Sequence, residues 1–292
     1  MKKSVIARIV LYSVLLVLLL GILIAGMAVY QGNENFSKMI GIFYAEEDYA
    51  EENMDYEIAD PGTMIPVPAE EITEIEVDWI SGSVTVEPAA VSSISLNETV
   101  TENPMVYGVK DGRLMIRFTE KMPPVSFLKN VESKHLTVQV PESWMGRKVE
   151  VRAVSAEVNI SDLQLSEVEY EGVSGKFQLR GCKLGKLEAE TVSGDIIVQG
   201  EIRELECESV SANCDLSLQN VPHKISMDGV SGNLNLILPG DAGFTLDIDG
   251  ISRKFETDFP VTGKDGKYTA GSGSCEIEIN GVSGWARIQK AG

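Results

Sequence analysis

Histidine is almost absent from this chain. The two present, His135 and His223, are isolated in sequence. A Ser-His-Asp or Cys-His nucleophilic site therefore has no local motif to rest on. Cysteine is scarce too: Cys182, Cys207, Cys214 and Cys275 form no C-x-x-C pair and have no histidine beside them. Zinc and thioredoxin-type chemistry are left unsupported. Aromatics make up only 7% of residues, whereas Gly, Ser, Val, Ile and Leu are common. That mix suits short strands and tight turns better than a helical bundle. Basic residues are outnumbered 25 to 44, for a formal net charge of -19. Phosphate binding needs a basic face, so nucleic acid is not an expected partner. Cations, basic peptides or basic polymers fit better, although a strongly acidic surface also serves solubility alone.

One long apolar run is present, Ile9 to Tyr30, 22 residues without a charge. At about 1.5 Å per residue it spans the ~30 Å hydrocarbon layer as a helix. Lys2, Lys3 and Arg8 precede it, and the stretch after it is acidic. The positive-inside rule then predicts a short cytoplasmic tail (1–8), a transmembrane helix (9–30) in the lipid bilayer and an extracytoplasmic remainder. A cleaved signal peptide is the competing reading, since Gly26 and Ala28 supply a small-residue site. Apolar cores of signal peptides are usually shorter, about 7–15 residues. Residues 31–63 read as an acidic linker. Between Glu46 and Asp60 there are eight acids and no base. Such a stretch has too little apolar surface to fold alone.

The rest is repetitive. The phrase Val/Ile-Ser-Gly/Ala-x-apolar-x-apolar begins at Ile80, Val154, Val173, Val192, Val210, Val230, Ile251 (degenerate) and Val282. From Val154 to Ile251 the steps are 19, 19, 18, 20 and 21 residues; the last step is 31. With the Val/Ile as position zero, positions minus five, minus three, plus four and plus six are usually apolar, as in Leu187, Ala189, Ile196 and Val198. This is strand alternation on both sides of a Ser-Gly corner. Each unit is a strand, a corner and a second strand. A lone unit cannot bury its core, but stacked units can. The predicted fold is an all-β, right-handed parallel β-solenoid over 144–292. An irregular N-terminal β subregion over 64–143 caps it, with Asp111-Gly112 as a hairpin turn. An antiparallel sandwich is the alternative. The eight corner serines are equivalent and have no histidine nearby in sequence. They read as turn residues whose hydroxyls bond backbone, not as nucleophiles.

The same register exposes an acidic ladder. Positions minus four and minus two face outward, and thirteen of their sixteen residues are acidic. Glu169, Glu188 and Glu206 are expected to form one column, and Glu171, Glu190, Glu208 and Asp228 its neighbour, with Asp247 and Asp249 continuing them. The plain reading is a solvated face that blocks lateral sheet pairing. The functional reading is a face for divalent cations or a basic partner. Calcium takes several hard oxygen ligands, but the Gly-Asp-rich calcium-repeat phrase is missing.

LTVQVPES (Leu136–Ser143), VSGDI (Val192–Ile196), GKDGKY running to GSGS (Gly263–Ser274) and the terminal VSGWARI (Val282–Ile288) resemble a bacterial adhesin-named family of β-strand-repeat domains of unknown function. The resemblance spans Ile72 to Ile288. It implies a β-helical surface domain, often behind one transmembrane helix, with some relatives linked to envelope-stress loci of Gram-positive bacteria. It transfers no active-site residues. The Ala156 and Ala212 corners and Ile251-Ser252-Arg253 depart from its Ser-Gly pattern.

The leading expectation is thus a non-catalytic, membrane-anchored surface interaction or envelope-associated structural protein, with a basic envelope polymer, peptide or membrane protein as partner. A β-helical polysaccharide-acting enzyme and an envelope-stress accessory protein are the alternatives. The enzyme needs a carboxylate cluster that breaks the repeat, and none is visible.

Overall fold

The computed structural model describes residues 55–59, 64–99, 103–119, 132–250 and 254–292. The tail, the apolar run Ile9–Tyr30 and nearly all of the linker lie outside the described residues, as does the corner Ile251-Ser252-Arg253. Among the described residues no helix is long and apolar enough to cross a membrane. Contacts divide the chain into two units, of which Tyr56–Glu120 with Glu132–Gly292 is the one described here.

The described part is all-β. Its strands are β1 (Glu57–Ile58), β2 (Ile65–Val67), β3 (Glu74–Ala89), β4 (Ile94–Glu98), β5 (Val106–Lys110), β6 (Arg113–Arg117), β7 (Lys134–Pro141) and β8 (Lys148–Ser161). Then come β9 (Gln164–Leu218), β10 (Lys224–Leu238), β11 (Phe244–Gly250), β12 (Lys254–Thr257), β13 (Val261–Lys264), β14 (Lys267–Ala270) and β15 (Cys275–Lys290). The long ones turn corners. β9 runs unbroken through the Val173, Val192 and Val210 corners. β3 pairs parallel with β8 on both sides of the corner, β8 with β9, β9 with β10 and β10 with β15. This is the parallel β-solenoid.

The corners hold because successive backbones touch. A Cβ on Gly194 would lie 2.1 Å from the Gly175 carbonyl oxygen, and one on Gly175 would lie 2.4 Å from that of Ala156. Both glycines also have positive φ, 132° at Gly175 and 151° at Gly194, which L side chains rarely adopt. The serine hydroxyls bridge coils. Ser155 Oγ donates to Ile80 O (3.0 Å), Ser174 Oγ to Val154 O (3.3 Å) and Ser193 Oγ to Val173 O (3.4 Å). Three corner serines thus act on backbone, as expected. The inward slots are buried, including Leu187, Ala189, Ile196, Val198, Leu205, Cys207 and Cys214. Tyr170 stacks on Phe177 at 4.6 Å inside the coil.

The coils do not all stack in chain order, which corrects the expectation that each covers the last. At the C-terminal end β15 inserts between β10 and the earlier β11 and β12. At the N-terminal end β3 lies between β8 and the later β6 and β7. The reason is the need to close two sheet edges. Each end has an excursion that forms an antiparallel hairpin: β5–β6 at one end, and β13–β14, laid on β11, at the other. Both hairpins turn on Asp-Gly with positive φ at both residues, Asp111 and Gly112, then Asp265 and Gly266. That is the type I′ geometry, whose twist matches the strands. The long step between the Ile251 and Val282 phrases holds the second hairpin.

The N-terminal end is plugged by a charged group. Lys134 pairs with Gly82 at the corner but sends its side chain inward. Its ammonium donates to Asn103 O (2.9 Å) and Phe118 O, forms an ion pair with buried Glu98, and lies 4.2 Å from the Phe118 ring centroid. Burial lowers the Lys134 pKa, and the bond to Glu98 opposes it.

Candidate functional site

The strand register assembles the outward columns. Glu150 stands opposite Glu169 and Arg152 opposite Glu171. Glu206 stands opposite Ser226 and Glu208 opposite Asp228. The swap of the terminal coils alters the columns beyond that point. Asp228 is flanked next by Asn280, and Asp249 stacks on the far side of Asn280. Asp247 likewise lies beyond Glu278 and pairs with Lys267 of the terminal hairpin.

Much of the ladder is neutralised by a column that the outward positions minus four and minus two did not include. Position minus six alternates in sign. Glu74 faces Lys148, Lys148 faces Glu167, Lys224 faces Glu204 and Glu276, and Lys186 occupies the coil between. Each lysine reaches the minus-four carboxylates. Lys148 binds Glu150 (2.9 Å) and Glu169, Lys186 binds Glu188 (2.5 Å) and Glu206 (2.8 Å), and Lys224 binds Glu278 (3.3 Å). Burial works against the charge of Lys148, but the Glu169 and Glu150 bonds outweigh it and hold its pKa high. For Glu150, Lys148 and Arg152 outweigh burial and hold its pKa low. The same 19-residue period that revealed the acids was the available signal for the lysines.

At the N-terminal end arginines do this work. Arg152 Nε donates to Asp78 (2.7 Å), and the same guanidinium binds Glu76; Arg117 lies 3.6 Å from Asp78. Glu167, Glu169 and Glu188 form a carboxylate cluster whose ligand oxygens lie within 4.8 Å of one another. Glu169 and Glu188 already bind Lys148 and Lys186, so ammonium groups hold the cationic role there.

The middle of the minus-two column is different. Among the described residues, Glu171, Glu190, Glu208 and Asp228 form no ion pair. Glu171 and Glu190 are exposed, and Glu208 and Asp228 are half-buried. Burial raises the Glu190 pKa, with Glu208 adding to it; burial raises that of Glu208, with Asp228 adding to it. Glu171 is also raised by burial, against Arg152 and with Glu190. Partial desolvation therefore leads and like-charge repulsion comes second.

Two further pairs come together. Cys207 and Cys214, at inward slots of one coil, have sulfurs 3.3 Å apart and buried. Their mutual hydrogen bond and burial push the Cys207 thiol well above its usual value. Ser83 Oγ lies 2.8 Å from His135 Nδ1 in the outer coils. Among the described residues no carboxylate bonds that imidazole.

Among solved structures, a "putative adhesin" from Bacteroides fragilis NCTC 9343 shares 14% identity. It matches 82% of this chain and 98% of its own, with a TM-score of 0.51. A "putative cell adhesion protein" from Clostridium sporogenes ATCC 15579 shares 14% identity over 82% of this chain and 100% of its own, with a TM-score of 0.35. A "putative lipid binding protein" from Parabacteroides distasonis ATCC 8503 shares 13% identity over 83% and 98%, with a TM-score of 0.37. No curated protein matches the chain. The Bacteroides fragilis structure shows the fold to be shared. With the Toastrack DUF4097 family model matching residues 27–288, the chain belongs to that family.

Proposed function

We propose that this protein is a non-catalytic interaction surface on the outside of the cell membrane. In this reading the apolar run Ile9–Tyr30 anchors it with the N-terminus in the cytoplasm, and the solenoid presents an adhesin-like face to the envelope. The observation that carries the proposal is the open carboxylate column Glu171, Glu190, Glu208 and Asp228, which forms no ion pair among the described residues and has a basic neighbour only at its Arg152 end, while the adjacent minus-four column is matched by lysines. A surface built only for solubility has no need of that division. Aligned carboxylates at strand spacing, about 4.8 Å, suit a basic polymer or peptide with repeated cationic groups. The adhesin name of the Bacteroides fragilis protein agrees with this reading. The corner serines support the non-catalytic part, because those with hydroxyl bonds to the backbone are already committed.

The test is binding of the full chain, purified in detergent, to immobilised polylysine. Binding should fall with salt. It should weaken strongly when Glu171, Glu190 and Glu208 are all changed to Gln. Equal binding by wild type and the triple variant would overturn the proposal. Among the described residues, Ser83 beside His135 is the arrangement that favours a hydrolase. A fluorophosphonate probe that labels wild type but not Ser83→Ala would establish that alternative.

A further inference from the structure

In each coil the inward slots minus three and plus four lie on the two strands that leave the corner. In the Val173 coil they hold Tyr170 and Phe177, whose rings stack at 4.6 Å. The coils on either side of the Val210 coil fill them with Ala189 and Ile196, and with Met227 and Leu234, all buried. Among the eight phrases, the Val210 coil alone has cysteine in both slots, Cys207 and Cys214. Both are thiols in this structure and both are buried. Their sulfurs lie 3.3 Å apart and bond each other. The other two thiols bond backbone instead: Cys182 Sγ donates to the Arg180 carbonyl (3.5 Å) and Cys275 Sγ to that of Glu276 (4.0 Å). A disulfide bond is about 2.05 Å long, so the facing sulfurs need to approach by little more than about 1 Å. Small rotations of the two side chains supply that without moving the strands.

From this geometry we infer that Cys207 and Cys214 are a site of disulfide formation, a covalent staple across the Val210-Ser211-Ala212 corner. The oxidant is a disulfide of the surroundings, small or protein-borne, acting by thiol–disulfide exchange. One cysteine thiolate attacks a sulfur of that disulfide, whose S–S bond breaks and releases one thiolate. The second cysteine thiolate attacks the protein sulfur of the mixed disulfide and releases the other. Two electrons pass to the oxidant, and the two protons lost by the cysteines end on the two thiols released. The exchange belongs to the folding chain, before the coil closes, because burial in the finished coil keeps the sulfurs from an oxidant and from the thiolate form. In the dithiol form, kept under reductant, the same burial shields both sulfurs until the coil unfolds. Glu208, next to Cys207 in sequence, is the rung of the open column that faces Asp228. The staple therefore fixes the coil where like charges push neighbouring rungs apart. The inference rests on the proposed function in one respect, the placement of the coil outside the membrane, where disulfides form and persist.

The test is made on the full chain, purified from cells in detergent without reductant, denatured in iodoacetamide and digested with trypsin. Both cysteines fall in the peptide 204–224, apart from Cys182 and Cys275. That peptide is expected two hydrogens lighter than its dithiol and free of alkyl groups, while Cys182 and Cys275 are alkylated. Cys207→Ser should make Cys214 alkylable. Reductant should lower the melting temperature of wild type by a few degrees and leave a Cys207→Ala, Cys214→Ala double variant unchanged. A second sample, fully reduced, is held with glutathione disulfide in urea just below the unfolding midpoint, where the coil opens and recloses. Crosslinking there, with alkylation of both cysteines in the chain from cells, would uphold the site and count against the extracytoplasmic placement. Alkylation of both in either sample, a crosslink to Cys182 or Cys275 instead, or a zinc or copper ion retained on the pair in native mass spectrometry would overturn the site, except that alkylation counts against it only when both samples show it.

Discussion

Lys134 and Glu98 form an ion pair at the N-terminal end of the solenoid with side chains only 1% and 2% exposed. The carboxylate also accepts the Met105 amide through Oε2 at 2.9 Å, and the Lys134 carbonyl accepts Trp79 Nε1 at 3.2 Å. The pair ties β4, β7 and the indole of β3 into one cap. Removing one partner leaves the other charge buried and unmatched. Lys134→Ala is expected to cost about 3–5 kcal/mol in denaturant unfolding. Lys134→Met combined with Glu98→Leu should cost clearly less than the two single changes added. Additive costs would show that the two groups do not act as a pair.

Gly194 tests the stacked corners. An added Cβ meets the Gly175 carbonyl at 2.1 Å. The φ of 151° compounds the strain. Gly194→Ala should lose more than about 1 kcal/mol, beyond the usual benefit of removing a glycine from the unfolded chain. Gly240, where an added Cβ meets nothing within 4 Å, is the control and should change little. Equal effects at the two positions, measured by thermal unfolding, would remove the corner from the account of stability.

The Cys207–Cys214 pair gives a chemical test. Both thiols are buried, and the Cys207 thiol is held well above its usual pKa by its neighbour and by burial. The thiolate is the reactive form. Alkylation of the native chain at neutral pH should therefore be slow at these two positions and become fast on unfolding. Rapid native labelling of Cys207 would show that the coil opens locally.

The parts of this fold that were legible in the sequence are those set by the period. Leu187 and Ala189, and Ile196 and Val198, alternate around Ser193-Gly194, and alternation fixes which face is buried. The order of the outer coils was not legible. Whether β10 is covered by β11 or by β15 depends on which edge the hairpin around Asp265-Gly266 closes, a tertiary choice without a local signature. Lys134 was hidden for a related reason: it holds the place of the corner Gly in a coil interrupted after Phe118, so the phrase does not announce it. Lys148, Lys186 and Lys224 repeat as regularly as the acids, but their meaning depends on long side chains reaching into the neighbouring column. Asn280 stands at a minus-two position in the sequence, but only the swapped coil order places it between Asp228 and Asp249.

The lysine column changes how the acidic ladder responds to mutation. Glu188 is bonded to Lys186 at 2.5 Å, so Glu188→Gln removes an attraction and should not stabilise the fold. Glu190 and Glu208 have like-charged neighbours and no ion pair among the described residues. Adjacent unit charges at strand spacing repel by about 0.9 kcal/mol per pair in water before screening. Both carboxyls have folded-state pKa values raised by burial and by that repulsion. A raised carboxylate pKa means that the folded state binds more protons than the unfolded state between the two values. The destabilisation is then full above the folded pKa, and it disappears as pH falls below the unfolded value of about 4.3. Glu190→Gln combined with Glu208→Gln should therefore raise the melting temperature at neutral pH and low salt. The gain should shrink in high salt and vanish toward pH ~4. Glu150 runs the other way. Its pKa is held low by Lys148 and Arg152, so its contribution is lost as pH falls. For that reason the comparison is between variant and wild type at each pH, not along the wild-type curve alone. A double variant that is less stable than wild type at low salt, with no dependence on salt or pH, would show that the open column carries no repulsion.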